Sequence, residues 1–141
     1  MAVLGAFTNA KVIVNGVDLS DHCTAVSVES SLDEVDITAM GATNKVVTPG
    51  LGDATISATF LQDYGAGSVD ATLQPLSVAG AAAFQVEVRP VNSARSTTNP
   101  AYVMTAKMYG YNPVGGSVGD ELTIDVSFRN AAQTGLQRLT S

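Results

Sequence analysis

Apolar and polar residues alternate with a period of two along most of this chain. In the segment 121–129, for example, Leu122, Ile124 and Val126 alternate with polar residues, which places the apolar side chains on one face of a strand. The pattern predicts about seven strands, at residues 11–14, 23–30, 33–38, 52–61, 84–89, 101–109 and 121–129. Because each strand has one apolar face, we expect a mainly β protein, folded as a β-sandwich or split barrel.

The periodicity changes once, between the fourth and fifth of these strands. Val69, Leu73 and Leu76 are spaced along one face of a helix, and Ser68 precedes them as a candidate N-cap. Pro75 lacks a backbone donor and disfavours helical geometry in the residue before it. The segment therefore predicts one short or kinked α-helix that flanks the sheet.

The length of 141 residues fits one domain. We interpret residues 1–141 as that domain, with an N-terminal arm at 1–10, a long inter-strand loop at 39–51 and a C-terminal tail at 130–141. A long loop that is rich in apolar residues is more typical of an interface than of a solvated connection. The residues that we assign to an inter-subunit contact in this loop are Met40, Lys45, Val46, Val47, Pro49 and Leu51.

Composition favours a chain that contacts other protein. Only 14% of the residues are charged, compared with about 25% in average soluble domains. The net charge is −6, and the seven Lys and Arg residues are scattered, which argues against binding to a phosphate backbone. The first residues do not resemble a signal peptide, and no run of about eighteen apolar residues is present, so we expect an intracellular, soluble chain.

The residues with catalytic or ligand-binding chemistry do not form a site. His22 and Cys23 are neighbours on a predicted strand, so their side chains point to opposite faces and cannot act as a base and a nucleophile. Cys23 is the only cysteine, which excludes an intrachain disulfide and a site built on several thiolates. The acidic run at 33–36 lacks EF-hand spacing, and the glycine-rich 115–119 lacks the Lys-Ser/Thr ending of a phosphate loop. We therefore predict no enzyme activity, no cofactor and no metal.

Three segments resemble the major tail proteins of long-tailed bacteriophages. They are NPAYVMTAKMYGYNPVGGSVGDELTIDVSF at 99–128, ITAMGATNKVVTPGLGDATISATFLQD at 37–63, and SVDATLQPL at 68–76, where that family carries its single helix. The resemblance spans roughly residues 10–130. It implies a virion protein, made in the cytoplasm of the host bacterium, whose six-membered rings stack into the tail tube. Its partners would be further copies of itself and other tail proteins (tape measure, tail terminator and baseplate or tip), with DNA passing through unbound and no membrane involved.

In such a tube, one polar strand face would line the DNA conduit. We predict that residues 33–38 pair with residues 52–61, and that Lys107 and Asp125 pair on a separate, outer sheet. A surface with acids, hydroxyls and no cation would repel the duplex. The residues that we assign to this lumen-facing surface are Glu34, Asp36, Thr38, Asp53, Thr55, Ser57 and Thr59. The alternative is an ordinary solvated face.

Two other functions remain open from the sequence. A tail-completion or connector protein of the same fold would form a single ring without stacking. A stand-alone β-sandwich that binds carbohydrate, for example, would present aromatic residues on a polar strand face. Tyr109 is the only clear residue of that kind and the chain has no Trp, which counts against this third function.

Overall fold

A computed structural model describes residues 10–141 of the chain. The strands in this range are β1 (Lys11–Val14), β2 (Val17–Asp18), β3 (Cys23–Asp36), β4 (Val47–Leu61), β5 (Phe84–Arg89), β6 (Ala101–Met108), β7 (Thr123–Asn130) and β8 (Gln137–Leu139). One α-helix, α1 (Val69–Leu73), follows β4 and continues into a 3-10 turn, Gln74–Leu76. The predicted fold class, mainly β with one short helix, is confirmed.

All eight strands belong to one antiparallel sheet. The order is β2-β1-β5-β6-β7-β4-β3, and β8 pairs with the first residues of β6. The strands that the alternation pattern would divide between two layers are therefore joined by one continuous set of hydrogen bonds. β3 and β4 form a long hairpin. The far part of this hairpin extends beyond the neighbouring strand β7, because β7 pairs with β4 only as far as Thr55.

The core lies on one face of the sheet. The alternating apolar residues of β1, β4, β5, β6 and β7 form one buried cluster, which includes the fully buried Phe60 and Phe128. Phe128 meets Phe84 edge to face, with 5.7 Å between ring centroids. Val69 and Leu73 of α1 belong to the same cluster, so the helix covers this face of the sheet. Each such side chain contributes about 1.5–3 kcal/mol by burial.

The hairpin β3–β4 differs from the prediction. The predicted strands at 23–30 and 33–38 form the single strand β3, and β4 already begins at Val47, so the loop predicted at 39–51 is reduced to residues 37–46. The predicted pairing of 33–38 with 52–61 is wrong, because β3 pairs with that segment through residues 23–32. Ser30 and Leu32 continue the alternation of the first predicted strand, but the residues around them did not indicate that the two predicted strands form one unbroken strand.

The two ends of the chain also differ in part from the prediction. The tail predicted at 130–141 contains β8, whose Gln137 and Leu139 lie opposite Val103 and Ala101. Nearly all of the predicted N-terminal arm, residues 1–9, lies outside the described residues. Within them, no helix is long and apolar enough to cross a membrane.

Candidate assembly surfaces

The far part of the β3–β4 hairpin projects away from the core. We call residues 29–53 the arm: every one of them is exposed except Thr48, which is partly buried. An isolated two-stranded ribbon is at best marginally stable in water, and such a ribbon normally needs a further surface to pack against. The arm carries seven large exposed apolar side chains: Leu32, Val35, Ile37, Met40, Val46, Val47 and Leu51.

The tip of the arm is held by a specific set of hydrogen bonds. The amide of Ile37 donates to the carbonyl of Val46 at 3.0 Å, and the amide of Val46 donates to Oγ1 of Thr38 at 2.7 Å. A tight turn follows, in which the positive φ of +87° at Gly41 suits the third position of a type II turn. Met40, immediately before that glycine, is fully exposed at the end of the arm.

A bulge in β4 divides the arm into two registers. Leu32 lies opposite Gly52, but Glu34, two residues along β3, lies opposite Pro49, three residues back along β4. β4 therefore carries one extra residue here, and its alternation is reversed relative to β3.

A glycine permits the close approach of the two strands within the bulge. A Cβ at Gly50 would lie 2.9 Å from Cγ2 of Val35 and 3.3 Å from Cβ of Asp33. Both distances are tighter than ordinary van der Waals contact. The bulge therefore excludes larger residues at this position without a shift of the opposite strand.

The pairing of β3 with β4 determines where the predicted acidic residues lie. Asp53 lies opposite Ser31 in the ladder. Because side chains alternate along β3, Glu34 and Asp36 lie on the opposite face from Asp53. Thr38 lies beyond the end of β3, where its hydroxyl binds the tip of the arm. The prediction that these three residues share a face with Asp53 is therefore wrong.

The four other residues of that prediction do share one face. These four residues lie on β4, between β3 and β7, whose neighbouring side chains lie on the same face. We call the combined surface the polar face, and its residues are Ser27, Glu29 and Ser31 of β3; Asp53, Thr55, Ser57 and Thr59 of β4; and Asp125, Ser127 and Arg129 of β7. The serines at 27, 57 and 127 occupy one row across the three strands. Short polar side chains therefore occupy most of this surface.

The polar face contains a cation that we did not predict. Arg129 lies opposite Thr55, and its guanidinium binds the carboxylate of Asp53 at 3.0 Å, with both side chains about half exposed. Lys107 lies opposite Arg129, while Asp125 accepts a hydrogen bond from Thr59 at 2.6 Å, so the predicted Lys107–Asp125 pair is wrong. Alternation within each strand was read correctly, but it did not reveal that β7 lies beside β4.

The opposite end of the sheet carries a second apolar surface. We call it the base surface, formed by the segments that follow β4 and β6 near the position where Leu61 pairs with Thr123. The base surface has three exposed large apolar side chains: Tyr64, Val114 and Val118. Together with the seven on the arm, these are ten of the twelve exposed large apolar residues in the part of the chain described; the other two, Val78 and Tyr109, lie beside the end of β6. Most of the exposed apolar residues are therefore concentrated at the two ends of the molecule.

A polar network fixes the base surface. The hydroxyl of Tyr111 donates to Asp70 of α1 at 2.7 Å, and Gln62 donates to the carbonyl of Pro113 at 2.9 Å. Tyr64 donates to the same carbonyl. Burial raises the pKa of Tyr111 to about 12, with a further contribution from its bond to Asp70, so the phenol stays a donor at neutral pH.

A groove lies beside the last residues of β6, where Lys107 pairs with Arg129 and Arg129 pairs with Thr55. Its volume is about 480 Å3, and its lining residues are Leu76, Ser77, Val78, Ala79, Gly80, Ala81, Lys107, Met108 and Tyr109. β5 begins at Phe84, opposite Ala106, so the groove occupies the position that an earlier residue of β5 would fill. Lys107 is the one charged residue in this lining, and it makes no ion pair with any other residue of the range 10–141.

A structured loop covers the outer side of β5 and β6 near the arm. Asn99 in this loop is buried, and its side chain donates to the carbonyl of Val91 at 3.0 Å and accepts from the amide of Val91 at 3.1 Å. Glu87 is buried beneath this loop and accepts hydrogen bonds from Arg89 and Arg95. Burial alone would raise the pKa of Glu87, but these two donors outweigh it and lower the pKa.

The structure separates the groups that a nucleophilic site would need. Nε2 of His22 lies 3.1 Å from the carboxylate of Asp63, whereas the thiol of Cys23 donates to the carbonyl of Ala25. Burial raises the pKa of Cys23, which disfavours the reactive thiolate. Within residues 10–141, no group of three or more His, Cys, Asp or Glu side chains is placed to hold a metal ion.

Fold and surfaces together define a class: a single antiparallel sheet with one short helix, apolar at both ends and polar along the face of β3, β4 and β7. No protein-family model and no curated protein matches the sequence. Solved structures do match the fold. A chain from the virion of a native gene transfer agent particle aligns with a TM-score of 0.74 and 13% identity, over 97% of this chain and 98% of that one.

Two further structures extend the comparison. A chain from the tail of an empty gene transfer agent particle, refined helically with C6 symmetry, aligns with a TM-score of 0.69 and 14% identity, over 96% and 98% of the two chains. A chain from the sheath/tube terminator of the PVC extracellular contractile injection system, in its extended state, gives 0.70 and 12%, over 97% of each. This chain therefore has a fold that occurs in phage-like tails and contractile injection systems, along nearly its whole length.

Proposed function

We propose that this chain is the subunit of a tail tube, in which rings of identical copies stack into a conduit for DNA. The observation that carries the proposal is the segregation of ten of the twelve exposed large apolar side chains in the described part of the chain to the arm and the base surface. These two surfaces differ in shape and sequence and lie at opposite ends of the sheet. Heterologous contacts of this kind, between unlike surfaces, generate open stacks rather than closed dimers.

The fold comparisons support this proposal. One matched chain belongs to a tail that was refined with C6 symmetry, which agrees with rings of six. The low charge content agrees as well, because subunits of permanent assemblies bury much of their surface against one another. A structural role in a virion tail, alongside the other tail proteins, accounts for these features without any catalytic site.

The polar face is the surface that we assign to the lumen. It retains Asp53, Thr55, Ser57 and Thr59 from the sequence-based assignment, whereas Glu34, Asp36 and Thr38 lie elsewhere. The face also carries Glu29 and Asp125, and its one arginine is bound to Asp53. Short hydroxyls and an acidic excess would let a duplex pass without specific binding.

Excision of the arm tests the stacking function. Leu32 and Gly52 lie directly opposite each other, so residues 33–51 can be replaced by Asn-Gly, which forms a two-residue hairpin turn. The replaced residues contribute nothing to the buried core, and we therefore expect a folded monomer. Electron microscopy of the wild type should show hollow tubes with a regular repeat, and the excised variant should show none.

A matched control identifies effects of the loop sequence alone. Thr43→Ser changes an exposed residue in the tip and should leave tube formation unchanged. Tubes formed by the excised variant would contradict the role of the arm. A wild type that forms no assembly at high concentration would contradict the tube function itself.

A terminator ring is a second candidate. The match to a sheath/tube terminator structure, at a TM-score of 0.70, lies between the two gene transfer agent matches, at 0.74 and 0.69. A subunit that forms a single ring without stacking would give isolated rings and no stacks in the same micrographs.

A further inference from the structure

We propose that Tyr109, Lys107 and Arg129 form a contact site for single-stranded DNA, with one base stacked on the tyrosine and the flanking phosphates bound by the two cations. The choice of DNA rests on the proposed conduit function, whereas the site itself is present in each single chain. The Lys and Arg residues are scattered along the sequence, but the fold brings these two together. Lys107 lies directly opposite Arg129 in the ladder between β6 and β7.

The two cations lie on one face of the sheet and close to each other. Opposite residues on antiparallel strands place their Cβ atoms about 4.5–5.5 Å apart, and like charges in such a pair are destabilising. Arg129 is bound by Asp53 at 3.0 Å, whereas Lys107 makes no ion pair with any other residue of the range 10–141. A phosphate bound beside this pair would offset the repulsion, because both side chains donate charge-assisted hydrogen bonds to phosphate oxygens.

Tyr109 supplies an aromatic surface next to these cations. It is 78% exposed, and it lines two clefts. One cleft is the groove of about 480 Å3 that contains Lys107, and the other has a volume of about 390 Å3 and contains Arg129 and Ser127. An exposed aromatic ring beside basic side chains is the combination that binds single strands, because every base has a face that can stack. A base on Tyr109 therefore has a cation in the cleft on either side.

This combination distinguishes single strands from a duplex. In a duplex the face of each base is covered by its neighbours, so Tyr109 has no base to stack on. Asp53 and Asp125 belong to the polar face beside the site, and they repel a duplex that offers only its phosphates. A duplex therefore passes along the polar face, whereas a single-stranded end is retained at Tyr109.

Fluorescence anisotropy with a labelled oligothymidylate and the full-length chain tests the site. Tyr109→Ala should weaken binding about fivefold or more, because it removes a stacked base, and Tyr109→Phe should restore binding because it keeps the ring. Lys107→Gln and Arg129→Gln should each weaken binding and lower the slope of log Kd against log salt concentration by about 0.7.

A matched charge variant shows whether the effect is local. Lys45→Gln removes an exposed lysine in the tip of the arm and should change the affinity less than twofold. Asp53→Asn frees Arg129 for the phosphate and should tighten binding at least threefold. Equal losses from Lys45→Gln and Lys107→Gln would overturn the site, because binding would then follow net charge alone.

Other probes identify the ligand class. An abasic strand of the same length, and a duplex of the same length, should each bind at least fivefold more weakly than the single strand. Equal affinity for either probe would contradict stacking on Tyr109. Oligoglutamate should not displace the single strand, and displacement at equal charge concentration would overturn the proposal in favour of an acidic peptide.

Photochemical cross-linking locates the bound base. A strand that carries bromodeoxyuridine should form its cross-link at Tyr109, as mapped by mass spectrometry, with the exposed Tyr64 as the internal control. Equal cross-linking of the two tyrosines, or no binding of the strand, would overturn the site. Tubes in the micrographs without single-strand binding would leave the conduit function intact, whereas single-strand binding without any assembly would support the site and contradict the tube.

Discussion

The buried carboxylate of Glu87 leads to a prediction about stability and pH. Glu87→Gln keeps the shape of the side chain but removes the charge that holds Arg89 and Arg95. The carboxylate side chain is 11% exposed, and the two guanidinium groups are 13% and 28% exposed, so screening by water is limited. Breaking a buried ion pair costs about 3–5 kcal/mol, and partial exposure of Arg95 reduces this to about 2–4 kcal/mol.

The pH dependence of this loss has a defined sign. The pKa of Glu87 is lowered in the folded chain from its ordinary value of 4.5, so the carboxylate stabilises the fold fully above that value. The stabilisation is lost as the pH falls through the lower, folded pKa. Wild type and Glu87→Gln should therefore differ most at neutral pH and converge in acid.

Urea denaturation of the arm-excised monomer, followed by circular dichroism between pH 3 and pH 7, measures this difference without interference from assembly. Glu29→Gln is the matched control, because Glu29 is exposed and lies at the root of the arm. Its effect should stay within about 0.5 kcal/mol. A Glu87→Gln variant as stable as that control at neutral pH, or one whose deficit grows in acid, would refute the reasoning.

Three further changes test other features. Gly50→Ala places a Cβ 2.9 Å from Cγ2 of Val35 and should destabilise the bulge by about 1–2 kcal/mol. We expect faster amide exchange in the arm with no change in the global unfolding midpoint, and unchanged exchange would contradict the close packing. Asp53→Asn releases Arg129 from its ion pair and should make assembled tubes retain a short fluorescent DNA duplex in a salt-sensitive manner. The control is Asp53→Asn/Arg129→Gln, which removes the freed cation and should return retention of the duplex to a low level. Tyr111→Phe removes the bond to Asp70 and should lower the free energy of unfolding by about 1 kcal/mol, whereas no change would show that the phenol is equally well hydrated.

Strand faces were predictable from the sequence because alternation is a local property. Ile124, Val126 and Phe128 are all buried as predicted, and the helix ends where Pro75 disfavours its continuation. Burial against a core imposes a period of two on the chain, and that period is visible without knowledge of the partner strand. The predicted strands thus agree well with β5, β6 and β7.

Register and strand neighbours were not predictable in the same way. The pairing of Asp53 with Ser31 places Glu34 and Asp36 on the other face, and the extra residue of β4 beside Gly50 changes the register beyond Leu32. The neighbours of Arg129 depend on contacts between segments more than seventy residues apart. The exposed strands of the arm lack the alternation that contact with a core imposes. We therefore predicted a loop at 39–51, which includes the first residues of β4.

The separation of the arm from the base surface gives any stack of these subunits a direction. One terminus of such a polymer would expose unoccupied arms and the other would expose unoccupied base surfaces, so the two termini would differ chemically. Growth at each terminus would then proceed at its own rate, as it does for other polar protein filaments. A factor that starts the polymer needs to imitate only one of the two surfaces, and a factor that stops it needs to imitate only the other.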